Sequence, residues 1–218
     1  EKYNIKNNTF LNFIFYKNKL NYNISKSDEP YILLDTGSSL TDRKYLIEIA
    51  NIFYRYNVGF KLVIKTVPIV YKKKRLHLYE RSENIIVVNK MMSMEELDSF
   101  YSRFEYIIYL AKFDGFGLTL SKAMNYNMFI FSGDGLPWNE ILNHYPRKCL
   151  IEMNQDFTKR NKNGDKGFSR SQIFYKCNFS DLIQKLKIVY MEKTKLKRKY
   201  EVVFYNWLNR YIFLSKKK

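Results

Sequence analysis

Residues 112–141 read KFDGFGLTLSKAMNYNMFIFSGDGLPWNEI. The chain has 8 glycines in 218 residues, and four of them fall here as two Gly-x-Gly pairs, Gly115/Gly117 and Gly133/Gly135. A chain sparing with glycine uses it where the backbone must bend sharply or let something come close. The first pair stands between the apolar run EYIIYLA (105–111) and the helical pattern LTLSKAMNY. The second stands between MFIFS (128–132) and PWNEILNHY, with Pro137 at the first turn of the expected helix. Two strand, glycine loop and helix units therefore follow one another.

The same unit recurs upstream. YILLD (31–35) reads as a strand, TGSSLTDR as a loop holding Gly37, and KYLIEIANIFYRY as a helix whose Leu46, Ile49, Ala50 and Phe53 share one face. FKLVIK (60–65) and NIIVV (84–88) are strands, with a helix expected over the basic segment 70–81 between them. Ser93 with Glu96 forms a capping box that opens MEELDSFYSRF. Short apolar strands alternating with helices predict a doubly wound parallel sheet, an α/β Rossmann-like domain covered on both faces. In such a sheet ligands sit beyond the carboxyl ends of the strands, and the Gly37, Gly115/Gly117 and Gly133/Gly135 loops all gather on that edge.

Outside this frame the pattern weakens. Residues 1–29 show no clear period and are taken as a lead-in, and 30–192 as the domain. Residues 152–178 are polar, basic and glycine-broken, as in a long surface loop or insertion. Helix resumes at NFSDLIQKLKIVYMEK with Asn178 or Ser180 as cap. Residues 193–218 are expected to form a carboxyl-terminal basic helical extension.

The formal charge of +17 favours anionic partners: nucleic acid, nucleotides or an acidic membrane surface met peripherally. Runs such as YKKKR (71–75) are ordinarily solvated faces, and no helix-turn-helix, aromatic RNP-like strand or zinc finger adds to the charge, so no specific nucleic-acid partner is expected. Cys149, Cys177, His77 and His144 offer neither a disulfide framework nor metal-ligand spacing. The expectation is a soluble, cytoplasmic protein without metal or cofactor, cut from something longer.

Gly115 and Gly117 permit a tight path into a helix beginning near Leu118, where unpaired N–H groups point out of the sheet edge. That is an anion site favoured by the helix dipole; for a lone Gly-Phe-Gly the other reading is an ordinary strand-to-helix turn. The second pair raises the odds of an anion site by repeating the arrangement. Arg43 and Lys44 lie on the same edge and could meet the anion. Asp114 suits a hydroxyl-rich group attached to the phosphate, such as a sugar.

The run EELDSFYSRFEYIIYLAKFDGFGLTLSKAMNYNMFIFSGDGLPWNEI (95–141) resembles the carboxyl-terminal, donor-binding domain of GT-B glycosyltransferases of the family 4 type. A weaker likeness extends over about residues 31–214. The resemblance implies metal-free transfer from a nucleotide sugar, the glycine loop and helix N-terminus holding its diphosphate. It places Asp114 against the donor sugar, Gly115, Phe116 and Gly117 at sugar and phosphate, and Arg43 where the family has a phosphate lysine. The catalytic pair is then Asp114 and Arg43. Gly37, Ser38, Lys44, Leu118, Ser121 and Lys122 complete the donor site. Two positions depart from the family: its first cation falls on Ser38, and its second, ribose-binding glutamate on Lys122, with Ser121 as a substitute only in a shifted register. Its amino-terminal acceptor domain cannot be built from residues 1–29.

The resemblance therefore implies a glycosyltransferase module, using a donor that carries uridine or another pyrimidine diphosphate and a glycan or glycoprotein acceptor. The alternatives are a degenerate, non-catalytic nucleotide-sugar-binding domain and a basic nucleic-acid-binding protein.

Overall fold

The computed structural model describes residues 30–37, 44–112, 117–135, 137–155 and 175–196. Five strands alternate with helices: β1 (Tyr31–Asp35), α1 (Leu46–Arg55), β2 (Lys61–Thr66), α2 (Pro68–Lys73), β3 (Ile85–Asn89), α3 (Met94–Tyr101), β4 (Tyr106–Tyr109), α4 (Leu118–Asn125) and β5 (Phe129–Gly133). Then come α5 (Trp138–Ile141), β6 (Lys148–Ile151), β7 (Met153–Gln155), β8 (Tyr175–Cys177) and α6 (Phe179–Leu196). β1 to β6 form one sheet in the order β3-β2-β1-β4-β5-β6, every pair parallel. β7 and β8 form a separate antiparallel pair. This is an α/β Rossmann-like fold, as the strand–helix alternation predicts.

Strands buried on both faces must be apolar throughout. β1, β2 and β4 meet that demand with Ile32, Leu33, Leu62, Val63, Ile64 and Ile107, all fully buried. Each such side chain contributes about 1.5–3 kcal/mol on burial. The first step of the chain, β1 to β2, runs one way along the sheet and β3 to β4 runs the other. Right-handed crossovers then put α1 and α2 on one face and α3 and α4 on the opposite face. α1 buries Leu46, Ile49, Ala50 and Phe53 as its period requires. α6 follows α1's side of the molecule, from Phe179 edge-on to Tyr45 to Tyr190 against Phe60, and Lys193 pairs with Glu105 at 2.9 Å.

Ser93 and Glu96 close both arms of the expected capping box. Asn178 is the cap of α6, its Oδ1 accepting from the N–H groups of Ser180 and Asp181 at 3.1 and 3.2 Å. Elsewhere the pattern misleads. The helix expected over 70–81 is a short α2 from Pro68 to Lys73, a left-handed Arg75, and a 3-10 turn at Leu76–Leu78. Between 68 and 78 only Val70 and Leu76 are buried, so the lysine run has no apolar stripe to hold a longer helix. The helix expected after Pro137 is the single turn α5, and the carbonyls of the two residues after it, Leu142 and Asn143, accept from the Lys148 ammonium. The expected loop 152–178 holds β7 and β8 at its ends, its middle lying outside the described residues. α6 runs unbroken through Leu196, across the expected boundary at 192/193, and the rest of 193–218, like 1–29, lies outside the described residues. No described helix is long and apolar enough to cross a membrane.

Candidate functional site

β1 hands the chain to β2 on one side and β4 hands it to β5 on the other, so the strand order reverses between β1 and β4. The carboxyl edge at such a switch point is the usual ligand position of an open α/β sheet. Both loops flanking it turn on a left-handed glycine, Gly37 at φ +62° and Gly117 at φ +59°. No described residue lies within 4 Å of the place a Gly37 Cβ would occupy. Gly117 is the residue before α4 and brings no side-chain cap, so the first N–H groups of α4 look to the edge for a partner.

Lys44 ties the two loops together. Its backbone bridges Ala111, just past β4. Its ammonium donates to the Asp35 carbonyl at 2.7 Å and to Thr119 Oγ1, in the first turn of α4, at 3.1 Å. It also lies 5.5 Å from the centre of the Tyr109 ring. A fixed positive charge thus stands at the positive end of α4. The Gly37 turn is held from beneath: its N–H donates to Asp35 Oδ1 at 2.9 Å, and the other oxygen of Asp35 accepts from the Tyr101 hydroxyl. Burial, and then the charge and hydrogen bond of Asp35, push the Tyr101 hydroxyl well above its ordinary pKa, so Tyr101 remains the donor.

Gly37, Lys44, Gly117 and the exposed Leu118 stand at this edge. Ser121 is half-buried on the second turn of α4. Ser38, Arg43, Asp114, Gly115 and Phe116 lie outside the described residues. Lys122 turns toward α3, where its ammonium pairs with Asp98 at 2.8 Å and sits 5.1 Å from the centre of the Tyr101 ring. Both partners are mostly buried, at 20% and 16% exposure. Lys122→Ala is therefore expected to cost about 1–3 kcal/mol of stability. Asp98→Ala on top of it should cost much less than Asp98→Ala alone, a coupling that a double-mutant cycle in urea measures.

The second glycine pair answers to packing. A Cβ on Gly133 would stand 2.8 Å from Met153 Cγ, and one on Gly135 would stand 2.6 Å from the Tyr175 ring. What comes close is therefore the β7–β8 hairpin, which overturns the reading of this pair as support for an anion site. Asp134 reinforces the contact by accepting from the Met153 N–H at 2.7 Å. Tyr175 is anchored in turn by its N–H on the Lys112 carbonyl at 3.0 Å, its carbonyl on the Tyr45 hydroxyl, and its ring on Trp138 at 5.3 Å. The hairpin is thereby bonded to the chain at Lys112, just past β4.

Asp35, Tyr101 and Thr119 are site-shaping residues that the sequence reading passes over. Asp35 ends an apolar strand and precedes a glycine turn, which was its available signal; the other two lie in ordinary helical patterns. Among the described residues no group of three or more His, Cys, Asp or Glu could hold a metal ion. Both cysteines are free thiols, and burial, followed by the carboxylates of Asp181, Asp134 and Glu48, pushes Cys177 up to about 12, far from a poised nucleophile.

No family model matches the sequence, and no curated protein matches it. Solved structures do. The GtfA/B complex aligns over 76% of this chain and 30% of its own, with a TM-score of 0.55 and 13% identity. TarM aligns over 85% of this chain and 36% of its own, with a TM-score of 0.50 and 16% identity. WaaG, a glycosyltransferase involved in lipopolysaccharide biosynthesis, aligns over 77% of this chain at a TM-score of 0.45 and 12% identity. These fold neighbours are GT-B glycosyltransferases. At such identities the likeness is one of fold, and the chain spans about a third of the length of the first two.

Proposed function

We propose that the chain is the donor-binding module of a glycosyltransferase, which holds a nucleoside-diphosphate sugar at the switch point between β1 and β4. The observation that carries this reading is the meeting of the Gly37 turn, the Lys44 ammonium and the start of α4, which has no side-chain cap among the described residues, at the carboxyl edge. The GT-B fold of the neighbours supports it. In the reaction the bond from the anomeric carbon to the phosphate oxygen breaks and its electron pair stays on the leaving diphosphate. A glycan or glycoprotein hydroxyl forms the new bond and gives up its proton to the departing diphosphate, whose oxygen has taken the electron pair. Charge grows on the diphosphate, so fixed donors and cations aimed at it lower the barrier. The helix end, Lys44 and Arg43 supply that neutralisation without a divalent ion, and the sequence has no Asp-x-Asp motif. Asp114 is assigned to the donor sugar.

Calorimetric titration with uridine diphosphate, with and without chelator, tests this. Binding that survives the chelator is expected, with Arg43→Ala weakening it by about 1–3 kcal/mol. A strict need for manganese or magnesium contradicts a metal-free site.

One observation favours a non-catalytic domain of the same kind. Lys122, in place of a ribose-binding glutamate, is already paired with Asp98. Restoring a carboxylate by Lys122→Glu alone would set two carboxylates against each other, so the informative variant is the charge exchange Asp98→Lys with Lys122→Glu. A gain on the order of 1 kcal/mol in nucleotide affinity marks a lapsed site. A loss of both affinity and turnover in Lys122→Ala marks a working one.

A further inference from the structure

Lys65 is the penultimate residue of β2 and is 7% exposed. It stands opposite Asp35 in the β1–β2 register and opposite Val88 in the β2–β3 register. Residues paired across parallel strands share a face, so Lys65 lies on the face where Asp35 meets Tyr101. Its backbone is part of the site's frame: the Lys65 carbonyl accepts from the N–H and the hydroxyl of Thr36, at 3.1 and 3.2 Å, one residue before the Gly37 turn. Its side chain makes neither hydrogen bond nor ion pair with the described residues. The carboxylate opposite it in the register, on Asp35, is committed through both oxygens to Gly37 and Tyr101. The Lys65 stem is buried while its ammonium is not sealed off, the arrangement of a long cation reaching a rim.

Ordering a long lysine stem so that its ammonium is held at the rim without a counter-ion costs side-chain entropy and part of the charge's hydration, and an anion bound at that rim repays it. We propose that Lys65 is a cation of the diphosphate site, approaching the anion from the β2 side while Lys44 and the start of α4 approach from the β4 side. The inference rests on the donor-site reading above, and it supplies a second positive charge where Ser38 leaves one missing.

The test uses the full chain, with inorganic pyrophosphate and uridine diphosphate as probes, and compares wild type, Lys65→Met and Lys65→Arg by calorimetry and thermal melting. Lys65→Met keeps the buried stem and removes the charge. It is expected to bind both probes about 10- to 100-fold more weakly, the worth of a hydrogen bond to a charged group. Its melting temperature should be unchanged or higher, since the buried stem is kept and no ion pair is lost. Lys65→Arg should retain most of the affinity. Unchanged affinity in Lys65→Met overturns the proposal and leaves the donor site standing. A lower melting temperature with unchanged affinity does the same, making Lys65 a structural partner of Asp35. If wild type binds neither probe, the donor-site reading falls and Lys65's role with it. Should the variants fail to fold, acetylation footprinting of wild type decides: pyrophosphate protects Lys65 if the proposal holds, and an absence of protection overturns it.

Discussion

Trp138→Ala is expected to lower the free energy of unfolding by about 3–5 kcal/mol, the range for removing a buried large aromatic ring. Trp138 is 1% exposed and lies edge-on to Tyr175 at 5.3 Å, so its ring joins the short α5 turn to the β7–β8 hairpin. Its indole N–H is buried without a hydrogen-bond partner. Trp138→Phe therefore gives up an unsatisfied donor and some volume, and should lose clearly less than Trp138→Ala. Urea unfolding of the three proteins measures both values. Faster amide exchange confined to residues 153–155 and 175–177 in Trp138→Ala would identify the hairpin as the part released.

Asp35→Ala is expected to cost about 3–5 kcal/mol, because it removes two hydrogen bonds to a charged acceptor, one of them from a buried hydroxyl. The Gly37 N–H and the Tyr101 hydroxyl both lose their partner. Tyr101→Phe breaks only the second of these bonds and should cost about 1–3 kcal/mol. The two differ in function as well. Asp35→Ala frees the Gly37 turn and should weaken nucleotide binding beyond what its stability loss explains. Tyr101→Phe leaves the turn pinned and should bind nearly as well as wild type. Equal losses of affinity would mean that the turn is not part of the site.

The parallel sheet was legible because each of β1 to β5 is a compact apolar run followed by a glycine or polar break, a signal local to a few residues. β6 was not, since Lys148 and Cys149 dilute the run and its place is fixed by pairing with β5. The hairpin was illegible for a related reason. β7 and β8 are three residues each and are separated by 156–174, so their pairing is a long-range fact that no window of sequence contains. The two glycine pairs look alike in sequence. Gly117 owes its identity to a positive φ at the start of α4, whereas Gly133 and Gly135 owe theirs to Met153 and Tyr175, which lie far along the chain. Lys122 shows the same limit: the resemblance implied a donor-site role for it, while its partner, Asp98, comes from another helix. Asp35 and Lys65 read as strand residues until the register sets them side by side at the edge.

The most direct test of the donor site is a crystal structure of the chain with uridine diphosphate at saturating concentration. The diphosphate is expected at the switch point, within hydrogen-bond reach of the first N–H groups of α4 and beside Lys44, in front of the Gly37 turn. A diphosphate bound instead on the lysine run 71–75, or a saturated crystal with the edge between β1 and β4 empty, would contradict it.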